Sequence, residues 1–182
     1  FWAAAAVTGG SVTVAGSRYG MMQGDMKFLG VLERMGCTVI ETADGINVTA
    51  PADGVLKAVD VDMNDFSDQT MTLAAIAPFA QGRTRIHNIG HIRLQESDRI
   101  EAVLTNLRAM GIECGTFDED GKEGIYVCRG LPKPAHIKTF DDHRMAMSFS
   151  VTGLMAEGIV IENPMCCSKT FENFYEVLES IL

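Results

Sequence analysis

Basic residues are scarce in this chain: 15 Lys and Arg stand against 24 Asp and Glu, a formal net charge of -9. A nucleic-acid binder meets a row of phosphates with a basic face, so that class of partner is excluded. Proline is also sparse, at 5 of 182 residues, while 47% are hydrophobic, the make-up of a packed domain rather than a disordered one. No apolar run reaches the roughly 18–20 residues that cross a bilayer, so no membrane partner is expected. The five cysteines, Cys37, Cys114, Cys128, Cys166 and Cys167, follow no metal-ligand spacing. An odd count suits a reducing, cytoplasmic setting in which cysteines act as small buried hydrophobes, with no metal. A basic leader is missing ahead of the apolar residues 1–7, which argues against a signal peptide. An initiator methionine and a helix N-cap are missing there too, so the chain reads as a fragment starting in mid-helix.

What is present is a repeat. Ala4-Ala5-Ala6-Val7-Thr8-Gly9-Gly10 precedes the alternating Ser11-Val12-Thr13-Val14. Ala74-Ala75-Ile76-Ala77 leads through Gly82 to Arg83-Thr84-Arg85-Ile86, and Val151-Thr152-Gly153-Leu154 leads through Gly158 to Ile159-Val160-Ile161-Glu162. Gly10, Gly82 and Gly158 recur at intervals of about 75 residues, each placed to cap an apolar helix before a strand. A second helix is predicted after each strand, over 25–35, 97–110 and 169–182; Ile100, Val103, Leu104, Leu107 and Met110 give the middle one a broad apolar stripe. The fold class is therefore α/β, with units at about 1–66, 67–144 and 145–182, the last lacking its closing strands.

The chemistry-bearing residues gather where these helices begin. Asp68 precedes a helix that is apolar all round; either Ser67 or Asp68 caps it, or Asp68 accepts a hydrogen bond from a substrate hydroxyl. Asp60, Asp62, Asp65 and Asp68 lack the glycine and glutamate of a calcium loop. Arg93, Glu96 and Arg99 surround the next helix start. Glu96 and Arg99 share a face and make either an ordinary surface ion pair or a proton-handling group beside cations. Asp141 or Asp142 caps a third helix, with His143 in structural support. Arg144 in that first turn is the wrong sign for the helix dipole unless an anion binds there. Lys169 stands before the final helix in the same way, so Arg99, Arg144 and Lys169 are expected to converge on one pocket.

Met22-Gln23-Gly24-Asp25, Ser67-Asp68-Gln69-Thr70-Met71-Thr72, Gln95-Glu96-Ser97-Asp98-Arg99-Ile100, Asp142-His143-Arg144-Met145-Ala146-Met147 and Ser168-Lys169-Thr170-Phe171 occur in this order. In these motifs the chain resembles the C-terminal part of the 5-enolpyruvylshikimate-3-phosphate synthase family, over essentially its whole length. The resemblance implies repeated βαβαββ units with helices inside mixed sheets, and a cleft facing a second domain that this chain lacks. It implies transfer of the enolpyruvyl group of phosphoenolpyruvate to the 5-hydroxyl of shikimate 3-phosphate, a step of aromatic amino acid biosynthesis, with release of phosphate and no cofactor. Asp68 would hold the hydroxyls and help remove a proton, and Glu96 would move a proton at the methylene carbon. Arg99, Arg144 and Lys169 would clamp phosphoenolpyruvate, with His91, Arg93, Asp142 and His143 in support. Gln95 stands where many members carry lysine, and His91, Arg93 or a residue of the missing domain could compensate for the missing charge. The parent's N-terminal segment and opposing domain would be needed for turnover. The rival UDP-N-acetylglucosamine 1-carboxyvinyltransferases share the reaction type but not the Asp142-His143-Arg144-Met145 run. A non-catalytic scaffold would need no such set.

Overall fold

The computed structural model describes residues 1–181. Its centre is a set of three buried helices, α1 (Trp2–Thr8), α3 (Thr70–Ile76) and α5 (His143–Gly153), which pack against one another. Ala3 to Ala6 make α1 a strong helix former, and their small side chains let its neighbours approach closely. In α3, Met71, Leu73, Ala74, Ala75 and Ile76 are all fully buried, which is why its pattern lacks a polar face. Two polar pegs cross this apolar interface. The Thr152 hydroxyl donates to the Ala75 carbonyl at 2.8 Å, and the Thr72 and Ser148 hydroxyls meet at 3.3 Å. Thr152→Val keeps the shape but strands the Ala75 carbonyl, and should lower stability by about 1–2 kcal/mol. Urea unfolding checks this, and an unchanged midpoint would show the peg to be idle.

The sheets lie outside these helices. β1 (Ser11–Ala15), β2 (Thr38–Glu41) and β3 (Gly45–Thr49) form an antiparallel sheet with β3 in the middle, Val48 facing both Val12 and Val39. α2 (Phe28–Arg34) packs on β2. The next sheet has the order β4-β5-β7-β6, from β4 (Asp60–Asp62), β5 (Arg83–His87), β6 (Cys114–Glu119) and β7 (Lys122–Cys128), with α4 (Arg99–Ala109) between β5 and β6. β4 and β5 are parallel, joined across α3, and the other pairs are antiparallel. β8 (Ala135–Ile137), α5 and β9 (Ile159–Ile161) repeat that parallel crossover, followed by α6 (Phe174–Ser180).

The architecture is the expected mixed α/β one, and residues 60–128 form a full βαβαββ unit. Hydrogen bonding sets its phase: β4 and β8 pair with the strands that follow them, so they open units that the sequence reading began at 67 and 145. Three-residue strands carry too little periodicity to show this. The helices also begin later than their patterns suggested. Gly24–Lys27 is a 3-10 turn ahead of α2. Residues 169–173 are a turn ahead of α6, where the Thr170 and Phe171 N–H groups both return to the Cys167 carbonyl. Phe171 and Phe174 are drawn there into an aromatic cluster with Phe1. Among the expected glycine caps only the first helix has one, at Gly9 (φ 79°) rather than Gly10. Gly158 instead lies in the turn just ahead of β9, where a Cβ would lie 2.7 Å from Pro134 Cβ. Among the described residues no helix is long and apolar enough to cross a membrane.

Candidate active site

Arg99, the first residue of α4, is only 1% exposed and each of its guanidinium N–H groups has a protein acceptor. Nε donates to Asp142 Oδ2 at 2.7 Å and Nη2 reaches Asp142 Oδ1 at 3.4 Å. Nη1 donates to Asp68 Oδ1 at 2.9 Å and also to Gln95 Oε1; Nη2 donates to Glu96 Oε2 at 2.6 Å. Burial opposes the charge on Arg99, but its hydrogen bond to Asp142 and the nearby Asp142, Glu96 and Asp68 carboxylates outweigh it and raise its pKa above the ordinary value. Arg99 thus gathers acids from three segments rather than presenting an open fork to an anion. In the pair of Glu96 with Arg99 the guanidinium is buried, while the Glu96 side chain is 45% exposed.

Asp142 is fully buried and caps α5, its Oδ1 accepting from the Arg144 N–H at 2.9 Å. Burial alone would raise its pKa; the hydrogen bond and charge of Arg99, the Arg144 N–H and His143 overturn that and lower it. Burial lowers the pKa of His143, against the opposing pull of Asp142, and the Arg144 and Lys169 charges act in the same direction as burial. Its Nδ1 is buried without a hydrogen-bond partner and lies 3.9 Å from Asp142 Oδ1, too far to bond. Arg144 points outward from the second residue of α5. Its Nη2 pairs with Asp68 Oδ2 at 2.7 Å, and its Nη1 lies 3.9 Å from Asp25 Oδ2. Asp68 therefore bridges two arginines, and it does so without capping α3, whose N-cap is Gln69 with no side-chain bond.

Arg93 clasps the loop that carries Gln95 and Glu96. It binds both oxygens of Glu123 on β7, at 2.8 and 2.7 Å, and both oxygens of Asp98, at 3.0 and 2.7 Å. Asp98 in turn caps α4 through the Glu101 N–H. His91 Nε2 meets the Ser67 hydroxyl at 2.8 Å, which ties the same loop to the Asp68 segment. Both residues are occupied with other side chains, His91 with Ser67 and Arg93 with Glu123 and Asp98. Lys169 is exposed in the turn before α6, outside the chain of ion pairs but near enough to act on His143. It does not stand at a helix start, so the equivalence with Arg99 and Arg144 fails in detail.

Asp68, Glu96, Arg99 and Arg144 are thus brought into one connected cluster, with Gln95 and Asp142 in it and Lys169 at its edge. Asp25 was missed as a participant. Its signal was its place in the 3-10 turn of the first unit, matching the loop before α4. A cavity of about 510 Å³ adjoins Arg144 and Asp25 but is otherwise lined largely by apolar groups such as Trp2, Phe28, Met147 and Phe174. That lining suits packing rather than an anionic ligand. Among the described residues no group of three or more His, Cys, Asp or Glu is placed to hold a metal ion.

The family model for EPSP synthase (3-phosphoshikimate 1-carboxyvinyltransferase) matches residues 1–178. The chain is 48% identical over 175 residues to the 3-phosphoshikimate 1-carboxyvinyltransferase of Nostoc punctiforme, covering 96% of this chain and 40% of that protein. It is 42% identical over 186 residues to the chloroplastic one of Brassica napus, covering 100% of this chain and 36% of that one. An EPSP synthase structure from Acinetobacter baumannii superposes with a TM-score of 0.81 at 28% identity, covering 98% of this chain and 43% of that one. The enolpyruvyl transferase NikO from Streptomyces tendae, at 20% identity and TM-score 0.69, shares the fold. The chain spans about 40% of the length of the relatives it matches.

Proposed function

The chain belongs to the EPSP synthase (3-phosphoshikimate 1-carboxyvinyltransferase) family, and on that premise we propose that it is the C-terminal part of an enzyme transferring the enolpyruvyl group of phosphoenolpyruvate to the 5-hydroxyl of shikimate 3-phosphate. Residues 1–182 make up most of one domain in this reading. An opposing domain and an N-terminal segment of the parent complete the cleft, and the parent works in the cytoplasm or an equivalent compartment. The observation that supports the reading is the ion cluster, in which Asp68 joins the buried Arg99 to Arg144 and Arg99 also binds Glu96.

Asp68 accepts the hydrogen bond of the 5-hydroxyl and helps take its proton as that oxygen attacks C2 of phosphoenolpyruvate. Glu96, protonated once substrate draws Arg99 away, delivers its proton to the methylene carbon and takes one back when phosphate leaves, while the 5-hydroxyl proton held by Asp68 departs with the phosphate, so both carboxyls end as they began. Arg144 and Lys169 hold the substrate carboxylate and phosphate. Arg99 trades its Gln95 and Glu96 acceptors for substrate oxygens, which frees Glu96 for the proton. Fixed cations in this position stabilise the departing phosphate more than the ground state, and the cleft supplies orientation. Gln95 accepts from Arg99, a bond that a lysine there could not make.

A phosphate-release assay with both substrates tests the reading. The full-length parent should turn over and residues 1–182 alone should not. A parent that binds neither substrate would sink the proposal, and turnover by the isolated chain would sink the part about the missing domain.

A further inference from the structure

β8 and β9 are parallel neighbours, Ile137 opposite Ile161, and so they release the chain at the same end of the pair. The exit from β8 runs through Phe140 and Asp141 to Arg144, and the exit from β9 runs through Asn163 to Lys169. Phe140 (φ 53°), Asp141 (φ 56°) and Asn163 (φ 48°) are all left-handed, an unusual conformation for residues other than glycine. Past the last ladder bond, from the Glu162 N–H to the Ile137 carbonyl at 2.9 Å, the two exits are tied by the Asn163 amide donating to Asp141 Oδ1 at 2.6 Å. A carboxylate only accepts, so the amide NH₂ must face it. Behind this tie the segments stay together, since the Cys167 thiol approaches the His143 carbonyl at 3.7 Å.

We infer that Asn163 is a positioning residue, whose bond to Asp141 fixes the Lys169-bearing turn against the start of α5 and so sets the spacing of Lys169 from Arg144. It touches no substrate itself. The inference rests on the enolpyruvyl-transfer reading for the role of the two cations, but the tie stands on geometry alone.

The exchange of the two residues tests it in the full-length parent. Asn163→Asp sets two carboxylates against each other and should raise the KM for phosphoenolpyruvate about tenfold, while that for shikimate 3-phosphate moves less than about twofold. Asp141→Asn still offers a carbonyl acceptor and should cost about twofold at most. The double variant Asp141→Asn/Asn163→Asp restores donor and acceptor in reverse order and should recover phosphoenolpyruvate KM to within about threefold of the parent. An unchanged KM in Asn163→Asp, or a double variant no better than that single, overturns the inference. If the parent itself releases no phosphate, the enolpyruvyl-transfer reading fails instead. Calorimetric binding of phosphoenolpyruvate to the same four proteins then decides: weakening in Asn163→Asp with recovery in the exchange supports the tie, and equal binding throughout overturns it.

Discussion

Arg99→Met should lower the unfolding free energy of the chain by about 3–5 kcal/mol, because it leaves a buried carboxylate uncompensated. Asp142 is fully buried and takes its counter-charge from Arg99 at 2.7 Å; methionine matches much of the volume but supplies no donor. Loss of this size is expected in urea titration at pH 7, and a variant too unstable to fold there is the same result at its limit. A loss below about 1 kcal/mol would show that Asp142 finds other support. The pH dependence adds a second signature. The folded pKa of Asp142 is depressed, so its contribution is present above the unfolded value of about 3.9 and fades as pH falls through the folded one. His143 is a base whose folded pKa is also depressed, by burial. Acid therefore favours its unfolded, protonated form, and the native chain should begin to lose stability below about pH 6.5. In Arg99→Met the stranded Asp142 carboxyl gains by taking up a proton. The stability gap between variant and native chain should thus narrow as pH falls, where a simple cavity would leave it constant.

Glu96→Gln in the full-length parent should reduce kcat by about 10²–10⁴-fold, the span usual for a lost general acid–base group. The amide carbonyl can still accept from Arg99 Nη2, so the loop should hold its place and both KM values should move little. Loss in kcat without loss in binding is the mark of a group that acts in the transition state. Steady-state kinetics with each substrate varied in turn decides it. A kcat within about threefold of the parent would leave Glu96 as no more than a ligand of Arg99.

Much of the candidate cluster was legible because its residues sit at local signals. Asp142 looked like an N-cap and is one, and Arg144 in the next turn faces out toward Asp68 and Asp25. The burial of Arg99 was not legible, since a Glu–Arg spacing of three describes one helix and says nothing of the Asp142 that a neighbouring unit brings to it. The same limit hid the occupation of Arg93 by Glu123, 30 residues away on β7. Lys169 was placed at a helix start because the apolar pattern extends back to Phe171; the ring contacts that claim Phe171 are tertiary. The repeat was read from glycine spacing, although only the first of those helices is capped by glycine, and the parallel crossovers depend on β4 and β8, whose pairing is settled across a whole crossover rather than along the strand.

The hydroxyl pegs between the central helices have a bearing on distances far from where they lie. Asp68 stands just ahead of α3 and Arg144 in the first turn of α5, so the sliding position of one helix along the other sets the gap between carboxylate and guanidinium. An interface of alanine, leucine and isoleucine is nearly smooth to such sliding, whereas a hydroxyl seated on one carbonyl has a single setting. One residue of slip would shift a helix by about 1.5 Å along its axis, enough to part Asp68 from Arg144, now 2.7 Å apart. Thr152 on Ala75 and Thr72 beside Ser148 act as the detents of this scale, calibrating from the middle of the domain a separation that is read at its face.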